Sequence, residues 1–116
     1  MVVRELAAIQ GFATECMESG DLAILDAYTG DLLSDVMGNA PSESVLITIQ
    51  AHKNTVAVAS LAGIRALVIC NGRSIPSDML QSAKEEDIAV FSTGDTQFEA
   101  SCKVAAALGI LYAGSR

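Results

Sequence analysis

Two hydrophobic rhythms alternate along this chain. Val45-Leu46-Ile47-Thr48-Ile49 and Ala66-Leu67-Val68-Ile69-Cys70 are short, almost unbroken apolar runs rich in β-branched residues. Such runs mark strands covered on both faces. Residues 88–92 form a third. Between them the spacing changes to that of helices. The pattern predicts a helix over 54–62 with Gly63 as its cap, a helix opened by Pro76 and Ser77 and running to 86, and a helix from Asp95 to 108 stopped by Gly109. In the last of these, Phe98, Cys102, Ala105 and Leu108 fall on one stripe, the expected buried face.

The first third is less regular. Val2, Val3, Leu6, Ala7 and Ile9 make a short helical pattern ended by Gly11. Residues 12–16 read as a brief edge strand, and Ser19-Gly20-Asp21 as a turn. A strand over 22–28 and a short helix over 31–37, closed by Gly38-Asn39, complete the reading. Strands joined through helices by short connections imply right-handed crossovers. The expected fold class is α/β: one domain over residues 1–116, a three-layer sandwich around a mainly parallel central sheet. Residues 112–116 read as a loose tail.

Composition narrows this picture. Apolar residues make up 51% of the chain but aromatic ones only 4%, with no Trp, so the core must be aliphatic. Lys plus Arg number 7 against 14 Asp plus Glu, a net charge of −7. That balance argues against nucleic acid, whose binding needs a cationic stripe, and against anionic membrane surfaces. The most apolar stretch, 56–70, is too short and too interrupted by Ser60, Gly63 and Arg65 to span a bilayer. No export signal precedes Arg4 and Glu5. The expectation is a soluble, cytoplasmic protein with Cys16, Cys70 and Cys102 as buried free thiols, since no two have metal-ligand spacing.

In a parallel sheet, ligands gather at the carboxyl ends of the strands. Those ends carry His52, Lys53 and Asn54, then Asn71, Gly72 and Arg73, then Thr93 and Asp95. These eight residues are the candidate ligand site. No nucleophile elbow accompanies His52, the only histidine, which instead reads as opening the helix that follows it. No phosphate-binding glycine motif is present. Asp31 and Asp35, four apart, share an expected helix face. They are too few for a hard cation, so Asp31 reads as an N-cap and Asp35 as a solvated residue. Asp95 reads as the N-cap of the last helix. No catalytic residue, metal or cofactor is assigned.

Two longer segments carry a resemblance: Gly30-Asp31-Leu32-Leu33-Ser34-Asp35-Val36-Met37-Gly38-Asn39-Ala40 and residues 47–59, together with Asn71-Gly72-Arg73 and Phe91-Ser92-Thr93. The chain resembles the DRTGG domain, and within it the small stand-alone members found beside iron-only hydrogenase genes. It has Ala51-His52 where many members carry Asp-Arg, and Asn71-Gly72 where a double glycine follows the next strand. The resemblance implies a fold similar to the N-terminal domain of HPr kinase and a regulatory, dimer-forming role with no catalysis of its own. It also implies a hydrogenase or related protein as partner.

Two functions follow as expectations. The first is a homodimeric regulatory or assembly module whose interface is the helix bearing Leu32, Leu33, Val36 and Met37, since two-fold pairing is the commonest way to bury an apolar strip. The second is a sensor of a nucleotide or other anion at the strand-end residues.

Overall fold

The computed structural model describes residues 1–110; the expected loose tail lies outside the described residues. In chain order come a 3-10 helix (Val3–Ala8), β1 (Phe12–Cys16), β2 (Asp26–Thr29), α1 (Leu33–Asn39), β3 (Ser44–Thr48), α2 (Lys53–Ala62), β4 (Ala66–Ile69), α3 (Ser77–Glu85), β5 (Ala89–Thr93) and α4 (Gln97–Leu108). The strands form one sheet in the order β1-β5-β4-β3-β2. β2 through β5 run parallel, and β1 joins β5 antiparallel.

The apolar runs are continuous because both faces of the sheet are covered. Val45 and Ile47 of β3, Ala66 and Val68 of β4, and Ala89 and Phe91 of β5 turn to one side, where Val3 and Leu6 of the 3-10 helix and Ala100 and Val104 of α4 meet them. Leu46, Leu67, Ile69 and Val90 turn to the other, against Val36 of α1, Val56 and Ala59 of α2, and Met79 and Ala83 of α3. The three layers are therefore α1–α2–α3, the sheet, and α4 with the 3-10 helix. Each large aliphatic side chain so buried contributes about 1.5–3 kcal/mol.

Local signals place most helix ends. Gly63 and Gly109 take φ of +77° and +71°, closing α2 and α4 in the left-handed conformation that glycine adopts without strain. Pro76 sits just before α3. No helix among the described residues is long and apolar enough to cross a membrane.

Several expectations are corrected. The first helix is 3-10 in type, with the Val2 N–H donating to Glu5 Oε1 at 2.9 Å. The strand expected over 22–28 is only Asp26–Thr29. Residues 20–24 pair instead with the N-terminus: Val3 N–H donates to the Leu22 carbonyl, Ile24 N–H to that of Met1, and Val2 bridges Ala23. α1 starts at Leu33, so Asp31 lies outside it and shares no helix face with Asp35. On α4 the fully buried residues are Ala100 and Val104, while Phe98 is 78% exposed and Cys102 is also exposed. The small Ala100 and Val104 let the helix lie close on the sheet, which the bulkier stripe would not. Cys16 and Cys70 are buried thiols as expected; Cys102 is not.

Candidate functional site

At the carboxyl rim, the four loops after β2, β3, β4 and β5 stand in a row because those strands are parallel neighbours. Asp31 is the hub of this row. Its Oδ1 accepts from the Thr48 hydroxyl (2.8 Å), the Ile49 N–H (2.9 Å) and the Gln97 amide (2.9 Å). Gln50 adds a bond from its amide to the Asp31 carbonyl at 2.8 Å. Burial by itself would raise the Asp31 carboxyl. The Ile49 N–H, the Thr48 hydroxyl, the Gln97 amide and the Arg73 guanidinium outweigh it and hold the group below the ordinary carboxylate range. Asp31 is thus a clasp between three loops, not the N-cap expected; Leu32 occupies the cap position and offers no side-chain bond.

The loops after β4 and β5 are equally interlocked. Asn71 and Gly72 take successive left-handed conformations, φ +62° and +63°. Their N–H groups donate to the carbonyls of Asp95 and Thr93, both at 2.9 Å. The Asp95 carboxylate does not cap α4. Its Oδ2 is closed to solvent and faces the Lys103 ammonium at 2.7 Å, which also donates to the Gln10 carbonyl at 2.9 Å. The Asp95 N–H donates to Thr93 Oγ1 at 3.1 Å. Thr96 is the cap instead, its hydroxyl accepting from the Glu99 N–H while Glu99 reaches back to the Thr96 N–H. Thr96-Gln97-Phe98-Glu99 is a capping-box sequence, the signal that would have placed this cap correctly.

His52 opens α2, as read from the sequence: its Nδ1 accepts the Asn54 N–H at 3.0 Å. Lys53 and Asn54 line a cavity of about 240 Å3 between α2 and α3, with Val56, Ala57, Ser82 and Glu86. So the eight candidate residues share the rim but not one pocket. Asn71, Gly72, Thr93 and Asp95 are bonded together, Arg73 is exposed with its charge favouring the ionised Asp31, and His52, Lys53 and Asn54 form a separate group at the start of α2.

Beneath the rim, burial and the nearby Asp95 and Asp31 carboxylates push the Cys70 thiol up to about 11, which keeps it protonated and unreactive. Among the described residues no group of three His, Cys, Asp or Glu is placed to hold a metal ion.

The four candidate interface residues divide. Val36 is fully buried in the core under α1, so it cannot meet another molecule directly. Leu33 is half-buried, and Leu32 and Met37 are exposed. Asp35, read as solvated, accepts the Tyr28 hydroxyl at 2.6 Å and the Asn39 amide at 2.9 Å, holding α1 against β2. Phe98, expected inside, is exposed, and so are Leu25 and Leu61.

No family model and no curated protein matches the chain. Among solved structures it is similar to the crystal structure of the CBS and DRTGG domains of the regulatory region of Clostridium perfringens pyrophosphatase, complexed with the activator diadenosine tetraphosphate. The TM-score is 0.69 at 12% identity, over 88% of this chain and 45% of that one. This chain therefore spans less than half the length of that neighbour. The likeness is one of fold, and the architecture is a DRTGG-like α/β sandwich.

Proposed function

We propose that this protein is a non-catalytic regulatory or assembly module that works as a homodimer. The observation that carries the reading is the bond from Gln97 to Asp31. It ties the start of α4 to the loop before α1, two segments that each carry an exposed apolar side chain, Phe98 (78% exposed) and Leu32 (68% exposed). Exposed apolar side chains of this size are what a self-associating surface offers. The sheet edges are poorer candidates. β1 carries a bulge between Thr14 and Cys16, and on β2 the Asp26 carboxylate takes the Ala27 N–H; both devices discourage strand addition. The rim groups are largely bonded to each other, which supports a scaffold over a reactive centre. A hydrogenase or related protein as the regulated partner rests on the sequence resemblance alone.

Sedimentation at tens of micromolar tests the dimer. A two-fold mass that falls to one chain in Leu32→Asp or Phe98→Asp supports it, and a monomeric parent protein refutes it.

A second reading, a nucleotide or anion sensor at the carboxyl rim, has two supports. Arg73, His52 and Lys53 are exposed there, and the structural neighbour was solved with a nucleotide activator. Thermal-shift titration with nucleotides checks it: a hit that binds Arg73→Ala as tightly as the parent would show the assigned site to be wrong.

A further inference from the structure

A cavity of about 400 Å3 opens at the other end of the molecule, where the parallel strands begin. That volume lies in the range of small-molecule sites. Its floor is apolar: Ile64 and Ile88 are nearly fully buried, and Leu22 completes it. Its walls are acceptors. Glu43, Glu86 and Asp87 line it, and α2 and α3 both end there, at Gly63 and Glu86, turning their carbonyl ends towards it. Both side chains are exposed, and among the described residues Glu86 accepts the Ser60 hydroxyl (2.9 Å) and Asp87 the Ser19 hydroxyl (2.6 Å). Neither carboxylate is neutralised by these contacts.

The same wall already holds a guanidinium. Arg65 lies in the cavity lining, with Nη1 donating to the Ala23 carbonyl at 2.8 Å and standing 3.7 Å from Glu43. The chain thus shows within itself how this region receives a cation on an aliphatic stem. That cation lies beside Glu43, and among the described residues no ion pair reaches Glu86 or Asp87.

We propose that this cavity binds a small aliphatic amine or guanidine, its cationic head between Glu86 and Asp87 and its carbon stem over Ile64 and Ile88. An anion would meet two unneutralised carboxylates and two helix carboxyl ends. A bare divalent ion would leave the apolar floor without a role. The site opens where the parallel strands begin and does not depend on dimer formation, and it shares Glu86 with the smaller cavity that Lys53 and Asn54 line.

Calorimetric titration of the full chain with 1,4-diaminobutane and with agmatine is the test, with 1-butanol as the uncharged control. Saturable one-site binding of an amine, absent for butanol, is expected. Glu86→Gln and Asp87→Asn should each weaken it roughly tenfold, the loss of one charge-assisted bond; Asn tolerates the left-handed backbone that Asp87 holds at φ +56°. Glu15→Gln removes an equal charge away from the cavity and should change nothing. An equal loss in Glu15→Gln would mean general attraction to an acidic chain and would overturn the proposal. So would no heat of binding at millimolar amine, or full binding by the Glu86→Gln, Asp87→Asn double variant, with a circular-dichroism melt verifying that each variant is folded.

Discussion

The Gln97 side-chain amide donates to Asp31 Oδ1 at 2.9 Å, joining residues 66 positions apart. This contact fastens α4 to the loop after β2. Thr29 and Ser101 share a second polar tie at 2.7 Å one helical turn further along. The face of α4 against the sheet is built of small side chains, so these polar contacts set where the helix sits as much as its apolar burial does.

Replacing Asp31 with Ala should destabilise the fold by about 1–3 kcal/mol, because the Thr48 hydroxyl, Ile49 N–H and Gln97 amide lose a charged acceptor together. Urea denaturation measures it. A loss under about 0.5 kcal/mol would mean that water replaces the carboxylate fully.

The pH dependence follows from the same group. The Asp31 carboxyl is held below its unfolded value, so its contribution is present above the ordinary aspartate range near pH 3.9 and is lost as pH falls through the lower folded value. Between about pH 5 and pH 2 the parent should lose stability more steeply than Asp31→Asn. Parallel acid curves for the two would contradict this.

Thr96→Ala should cost about 1 kcal/mol through loss of the capping box, with the deficit confined to α4. Hydrogen exchange of the first α4 amides would report it. Asp95→Asn acts differently: it removes the ion pair with Lys103 and loosens the Gln10 loop, leaving the cap in place.

Thiol labelling should separate the cysteines. Cys102 is exposed and should react at once, while burial raises both Cys16 and Cys70, the latter to about 11. One equivalent of Ellman's reagent per native chain is expected, and three in denaturant. Rapid labelling of two or three thiols in the native protein would contradict the packing described.

Glu43 holds φ of +56° with a side chain, a conformation glycine adopts more cheaply. Glu43→Gly should raise stability by about 0.5–1 kcal/mol, since the ion pair it gives up is long and partly exposed. Thermal melting checks the sign.

Much of this architecture was legible in the chain because its causes are local. The runs at 45–49, 66–70 and 88–92 are apolar at successive positions, which only strands buried on both faces require, and the helices between them leave a parallel arrangement as the short route. Gly63, Pro76 and Gly109 mark helix ends through their own backbone preferences. His52 caps the helix that follows within two residues of itself. The reading failed where a side chain's partner is distant. Asp31 and Asp95 have the chemistry of N-caps, and nothing beside them in sequence tells of Gln97, Thr48 or Lys103. The face of α4 was misjudged for the same reason, since periodicity offers several stripes and only the sheet beneath selects Ala100 and Val104. Sequence alone determined the alternation of strands and helices, because propensity, periodicity and capping act over a few residues. Tertiary structure decided which carboxylates clasp the loops and which apolar side chains remain outside, because those outcomes depend on groups that only folding brings within bonding distance.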